Sequence, residues 1–469
     1  MNKYKTLISN TALISLGTIG SKLLVFFMVR FYTGYLTTAE FGTADIITQT
    51  CNLLLPIISL GISNGVFRFA IDSNHDKKSV FSSGLYTITF GGLLFLIIAP
   101  LLAISSQLRT YLWLIVLYTM ASCYHSLCAQ FIRAKNKTAF FAVQGIVNTA
   151  LVIAFNILFL AVFDLGITGY VLSVALADGL TSLLIFFKEK LWREIVLKPE
   201  KNTLKQMLIY SIPMIPATIF WWVTSVSDRY MVTWFLGEAE NGIYAVSNKL
   251  PTVLTLVSTV FMQAWQFSAI SESENDKNEH AEFYGKVWAS FQSVMFLAGS
   301  AITALAVPMI KILTTESFYS AWKFVPMLAL AMVFSAFANF MGSVYVVEKR
   351  SKNSFLTTMV GAGLNIVLNL VLIPKIGSQG AAIATFVSYL AVFIIRTYDA
   401  KKYIPFKTHF ITVMINALIV IFQIGYMLFD LPFNYPVQAI CFAALFIINF
   451  RFFKVFFEKM LSFVKRRIR

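Results

Sequence analysis

The chain has 469 residues, 58% of them apolar and 13% charged, with a mean hydropathy of +0.73 and a net charge of +16. Its apolar residues match about fourteen spans of ~20 residues and arrive in uninterrupted runs, which excludes disordered, collagenous and ordinary globular chains. The basic excess follows the loops between runs, so it speaks for membrane orientation and no nucleic-acid partner is expected. In chain order the runs fall near 7–29, 43–66, 80–104, 110–132, 139–163, 166–187, 206–228, 241–268, 284–309, 324–347, 354–374, 378–397, 408–429 and 434–450. They predict an all-α polytopic membrane protein with fourteen transmembrane helices.

With the amino terminus in the cytoplasm, thirty of the 38 Lys and Arg residues lie on the inner side, Arg68, Arg133, Lys352 and Arg396 among them. Six lie outside: Arg30, Arg109, Arg229, Lys311, Lys323 and Lys375. This split predicts that both termini are cytoplasmic. The acidic loop from Ser271 to Glu282 reads as a solvated inner loop, and the first run, with no small-residue cleavage site after it, as an uncleaved first helix. Cys51, Cys123, Cys128 and Cys441 lie in apolar runs without metal-type spacing, and His75, His125, His280 and His409 are scattered. Neither a metal, a cofactor nor a disulfide framework is therefore expected. No triad, phosphate-cradling glycine loop or nucleotide motif is present, so no catalytic residues are assigned.

Two stretches of the chain resemble each other. Leu36-Thr37-Thr38-Ala39-Glu40-Phe41-Gly42 returns as Leu236-Gly237-Glu238-Ala239-Glu240-Asn241-Gly242, 200 residues later. Ala134-Lys135-Asn136 with Gly145 and Asn148 returns as Ser351-Lys352-Asn353 with Gly361 and Asn365, and Leu165-Gly166-Ile167-Thr168-Gly169 as Ile376-Gly377-Ser378-Gln379-Gly380. Each copy begins with an odd-numbered helix, so the halves run parallel as two six-helix bundles. The expected organisation is an amino-terminal bundle (1–187), a cytoplasmic linker (188–205), a second bundle (206–400), and two extra helices with a basic tail (401–469). The linker, basic and interrupted by Pro199, is either a hinge or an ordinary inner loop. The tail suits a helix lying on the anionic inner leaflet.

Polar residues recur at helical spacing inside four runs. Asp45, Gln49, Asn52, Pro56, Ser59 and Ser63 share one face of the second helix, and Lys249, Thr252, Leu256, Thr259, Gln263 and Gln266 share one face of the eighth. Helix one adds Thr11, Ser15, Thr18 and Lys22; helix seven adds Ser211, Thr218, Trp222, Ser225 and Arg229. Such stripes either line a water-filled cavity common to the bundles or glue helices together. Lys22 and Lys249 are dearer, because an ionised residue at mid-span costs about 2.5–3.5 kcal/mol; they either contact substrate or form buried ion pairs, unless they mark misplaced boundaries. Asp178, midway along helix six, either pairs with a lysine or carries a coupling proton or cation. Asp45, Asp228, Arg229 and Arg30 are expected near outer helix ends. Pro213 and Pro216 with Pro56 can free backbone groups beside a cavity, and Trp222 can stack on a sugar ring or simply pack.

The Asn10…Gly17…Lys22 helix, Phe31-Tyr32-Thr33-Gly34-Tyr35-Leu36…Glu40-Phe41-Gly42, Leu54-Leu55-Pro56…Ser59-Leu60-Gly61-Ile62 and Phe67-Arg68-Phe69 resemble the polysaccharide-repeat-unit flippases of the multidrug/oligosaccharidyl-lipid/polysaccharide exporter superfamily. The resemblance covers essentially the whole chain. It implies two lobes and translocation of an undecaprenyl-pyrophosphate-linked oligosaccharide across a bacterial cytoplasmic membrane by alternating access, for capsule, O-antigen or a similar polymer. Lys22 and Lys249 would then meet the pyrophosphate, with Thr18, Gln49, Asn52, Thr252, Gln263 and Trp222 around the substrate, Asp178 as a coupling group, and Arg30, Arg68 and Arg229 as further charge candidates. Expected partners are the lipid-linked oligosaccharide, membrane lipids and a polysaccharide polymerase or biosynthesis complex. A drug/cation antiporter of the same superfamily would favour acidic cavity residues. A membrane glycosyltransferase or polymerase would need a larger outer loop with catalytic acids.

Overall fold

Thr37 opens the first long helix by a capping box: its hydroxyl accepts from the Glu40 amide while the Glu40 carboxylate accepts from the Thr37 amide at 2.9 Å. The computed structural model describes Gly20, Leu24 and residues 26–468, apart from 73, 74, 105, 272–276 and 349. At 102–104, 106, 107, 263, 264, 266–268, 270, 271, 277, 278 and 453–468 it describes the backbone alone. The described residues form helices joined by turns and short connections, without a strand. Among the described residues, twelve helices are long and apolar enough to cross a membrane, or thirteen if one bent pair counts as a span. The predicted first run, 7–29, lies almost wholly outside the described residues; every other predicted run coincides with a helix or a helix pair.

The chain divides into two units, Met1–Trp222 and Val223–Arg469. In the first, α1 (residues 26–35), α2 (Thr38–Ile58), α3 (Ile62–Ile71), α4 (Lys77–Ile98), α5 (Ser106–Thr110), α6 (Leu112–Ala134), α7 (Thr138–Asn156), α8 (Gly166–Lys188) and α9 (Lys201–Ser211) follow one another. Helix α6 is central and packs on α8, α3 and α2. Helix α2 stops in a Schellman motif: Gly61 N–H donates to the Pro56 carbonyl and Leu60 N–H to that of Ile57, with Leu60 (φ 49°) and Gly61 (φ 61°) left-handed. The predicted run 43–66 is thus two helices.

The 188–205 segment is docked on the first unit. Ser82 Oγ donates to the Glu194 carbonyl and accepts from the Val196 amide at 2.8 Å; the Glu200 amide donates to Ser79 Oγ at 2.7 Å. Tyr86 donates to the Val196 carbonyl, and Lys135 pairs with Glu194 at 2.6 Å. Side chains of α4 thereby satisfy backbone groups at the end of the 3-10 turn Leu191–Glu194 and in the stretch from it to α9.

The second unit takes up the carboxyl-terminal half of α10 (Ile215–Leu236), then α11 (Glu238–Ser247), α12 (Thr252–Ser271), α13 (Lys277–Ala304), α14 (Ala306–Leu313), α15 (Val325–Val347), α16 (Ser351–Ile376), α17 (Ser378–Ala400), α18 (Phe410–Leu428) and α19 (Asn434–Ile468). Its core is aromatic. Trp265, Tyr284, Trp288, Phe291, Phe334, Phe337, Phe340 and Phe393 are buried in one cluster, with Trp265 stacked on Phe340 at 5.0 Å and Phe261 on Phe291 at 4.2 Å. The two extra helices join this core through Val413, Val420, Ile424 and Leu445. They are also tied to α13 by polar bonds, Ser293 to Asn449 and Ser300 to Gln423, each 2.9 Å.

The two repeated segments behave alike within their own units. Positions 41–50 and 241–250 run through the same order of buried and half-buried residues. Glu40 Oε1 lies 3.3 Å from where a Cβ on Gly166 would stand, at the start of α8, and Glu240 Oε1 accepts from Ser378 Oγ at 2.8 Å, at the start of α17. Each carboxylate meets the positive end of a helix.

Candidate functional site

The stripe on α2 leads into a cavity of about 170 Å³ in the first unit, lined by Leu55, Pro56, Ser59, Ser63, Asn64 and Thr218 among others. Pro56 cannot donate to a helix bond and Ser59 turns its hydroxyl back to the Leu55 carbonyl at 2.7 Å, so the polar wall sits where α2 ends. Higher on the same helix, Gln49 is half-buried with its amide 3.5 Å from Asp45 Oδ1, and Asn52 is exposed. With the four native cysteines replaced, cysteines placed at Ser63, Asn64 and Thr218 are expected to react with small water-soluble thiol reagents, whereas cysteines at the apolar, exposed Ile146 and Leu183 stay unmodified in the bilayer. Equal labelling of both sets would show that this wall is dry packing.

The eighth predicted run is not one continuous helix, and Lys249 stands at a break inside it. Helices α11 and α12 meet at 45° across Asn248–Pro251. Pro251 has no N–H for the Ser247 carbonyl and its ring clashes there, so the helix cannot continue. Asn248 Nδ2 donates to the Tyr244 carbonyl at 2.9 Å and Ser247 Oγ to the same oxygen at 2.6 Å. Lys249 is half-buried in this break, its amide bonded to the Val246 carbonyl. The residue of α2 equivalent to Pro251 is Cys51, which keeps its N–H, and α2 runs unbroken past that point. Thr252 is exposed at the start of α12 and bonds the Asn248 carbonyl at 2.7 Å. The side chain of Gln263 lies outside the described residues, as do Thr18 and Lys22.

Asp178 lies in α8 with a relative exposure of 9% and, among the described residues, pairs with no lysine. Its carboxylate accepts from Ser122 Oγ, from Asn148 Nδ2 at 2.8 Å and from His125 Nδ1 at 3.1 Å. His125 Nε2 lies 2.8 Å from Gln144 Oε1, and Gln144 Nε2 donates to the Phe141 carbonyl, which fixes the amide so that its oxygen faces the ring. Both ring nitrogens therefore face acceptors, a pattern that only the doubly protonated imidazole satisfies. His125 and Asp178 form a buried ion pair whose histidine looked unremarkable in the sequence. The available signal was its place on α6, three residues after Ser122 on one face.

Asp228, expected near an outer helix end, is buried among polar partners. It is 2% exposed in α10 and accepts from Tyr244 at 2.7 Å, from Thr385 at 3.3 Å and from the Arg229 amide. Ser227 donates to Asn365 Oδ1, which also accepts from Asn369. Arg229 and Trp222 are half-buried, while Arg30 and Arg68 are exposed. Arg396, counted among the loop charges, is instead 6% exposed within the last turns of α17.

With this geometry in place, relatives become informative. A family model described as polysaccharide biosynthesis protein matches residues 7–273, more than half of the chain. The chain belongs to this family. A probable lipid II flippase MurJ of Thermotoga maritima is 27% identical to it over 186 residues, 38% of either chain, and an uncharacterized membrane protein of Methanocaldococcus jannaschii is 24% identical over 255 residues, 52% of this chain and 60% of that one. The matches thus span less than two thirds of each curated relative. Among solved structures, a lipid II flippase MurJ in an inward closed conformation shares the fold with a TM-score of 0.73 at 16% identity, covering 96% of this chain and all of the other. A mutant of the Vibrio cholerae MATE transporter VcmN follows at 0.57 and 14% identity, over 85% and 96%. This polysaccharide biosynthesis protein therefore has the fold common to MurJ and the MATE transporters.

Proposed function

We propose that the chain is a flippase that carries an undecaprenyl-pyrophosphate-linked oligosaccharide across the bacterial cytoplasmic membrane for capsule, O-antigen or related polymer synthesis, by alternating access and without bond-making chemistry. One observation carries the reading: a member of the polysaccharide biosynthesis family follows the fold of a lipid II flippase along nearly its whole length. The break between α11 and α12 supports it, since transporters present unwound backbone and helix ends at their substrate sites. In this reading Lys22 and Lys249 neutralise the pyrophosphate, and Thr18, Gln49, Asn52, Thr252, Gln263 and Trp222 face the substrate. Arg30, Arg68 and Arg229 stand in reserve. Asp178, with His125, carries a coupling proton.

The halves are parallel repeats of six helices, within fourteen in all, an arrangement supported by the matching burial of 41–50 and 241–250 and by the matching placements of Glu40 and Glu240. Both termini are cytoplasmic, and a polymerase works beside the protein on the released side. A drug/cation antiporter is the second reading, favoured by the MATE structures. The test is reconstitution of the full chain in liposomes holding a fluorescent prenyl-pyrophosphate oligosaccharide in one leaflet. Protein-dependent exposure of the label to an outside quencher is expected. Exchange of cationic drugs without movement of the labelled lipid would favour the antiporter.

A further inference from the structure

The second unit holds a cavity of about 370 Å³ whose walls include Arg396, Thr255, Ser258, Thr259, Ser335 and Asn339. Thr259 and Asn339 are exposed, so the cavity is open at that rim, whereas Arg396 is 6% exposed. The guanidinium is held in place by four bonds to neutral oxygens. Nε donates to Thr357 Oγ1 at 2.9 Å, Nη1 to the Ala338 carbonyl at 2.9 Å, and Nη2 to Thr358 Oγ1 at 2.9 Å and the Ser354 carbonyl at 3.3 Å. Among the described residues no carboxylate pairs with it. Asp399, three residues on, is engaged by Tyr345, Asn353 and Lys402.

Glycine at 342 makes the seat possible, because a Cβ there would stand 2.7 Å from Nη1. A guanidinium has five N–H groups, so one on Nη1 has no acceptor among the described residues. A buried, rigidly oriented cation without a counter-charge is expensive in a membrane span, and such residues mark ligand paths. Here the missing charge has room to enter, beside hydroxyl and amide groups suited to several oxygens at once.

We propose that this cavity is an oxyanion site in which Arg396 binds a phosphate group, with Asn339 and the α12 hydroxyls around its remaining oxygens. The site is separate from Lys249 and rests on nothing in the flippase reading except that a phosphate-bearing substrate would give it a use. Purified full chain in zwitterionic nanodiscs is titrated at constant ionic strength with inorganic pyrophosphate and, separately, with farnesyl pyrophosphate. Binding of both is expected, weakened about tenfold or more in Arg396→Gln, as for loss of a charge-assisted bond, and less in Arg396→Lys. Binding of farnesyl pyrophosphate alone would assign the site to a lipid headgroup, and of both to phosphate as such.

Asn339→Leu leaves every Arg396 bond in place while removing a polar wall, and Gly342→Ala shifts the guanidinium without changing charge. Both should weaken binding even if Arg396→Gln does not fold. Wild-type affinity in these two variants, or in a folded Arg396→Gln, overturns the proposal. Failure of the liposome assay with Arg396-dependent pyrophosphate binding intact would strike the flippase reading and leave this site standing.

Discussion

Lys249→Gln is expected to cut polymer export roughly tenfold or more at normal protein level, and Lys249→Arg to keep part of it. A charge-assisted bond to phosphate is worth about 1.5–3 kcal/mol, and glutamine retains length and hydrogen bonding while losing the charge. Arginine still donates to phosphate oxygens with altered geometry. The break at Asn248–Pro251 sharpens the expectation, because the lysine occupies an unwound corner, half-buried between α11 and α12. The same pair of substitutions at Lys22 should behave alike if both lysines meet one pyrophosphate. Normal export from both glutamine variants, or failure only through loss of the protein, would make these lysines structural and move attention to Arg30, Arg68 and Arg229.

Asp178→Leu should be the most damaging single change in the first unit. It strands the donors of Ser122, Asn148 and His125 in a buried site and leaves a protonated imidazole uncompensated. Removing one partner of a buried pair costs about 3–5 kcal/mol. Asp178→Asn keeps the shape and one acceptor, so it should cost less. His125→Gln leaves the carboxylate with two donors and should cost about 1–3 kcal/mol. Thermal unfolding of the purified variants checks the order Leu, then Asn, then Gln. The double variant His125→Gln with Asp178→Asn should be more stable than the sum of its parts, because the two changes remove one shared interaction. If that double variant folds yet flips lipid without regard to an imposed proton gradient, the pair is the coupling group; unchanged gradient dependence would leave it a structural bond.

Much of the fold was legible because membrane insertion acts on local properties. Run length and apolarity are readable residue by residue, and a spanning segment must satisfy its own backbone as a helix. Hence thirteen predicted runs coincide with helices or helix pairs, and 41–50 and 241–250 share one order of buried and half-buried residues. The polar stripe of α2 was likewise visible from spacing, and its lower part does line a cavity. The breaks at Ser59–Gly61 and Asn248–Pro251 were signalled only by a proline and a glycine, whose effect depends on which carbonyl each deprives and which side chains stand ready to cap it.

What tertiary structure alone decided was the partnership of the charges. Asp178 and His125 are 53 residues apart, Asp228 and Thr385 are 157 apart, and Arg396 finds its acceptors on two other helices. Spacing along one helix says which face a residue is on but not what packs against that face. A buried charge draws its meaning from that neighbour, since the same arginine is a solvated loop cation beside water and an anion seat when four neutral oxygens hold it against a polar cavity.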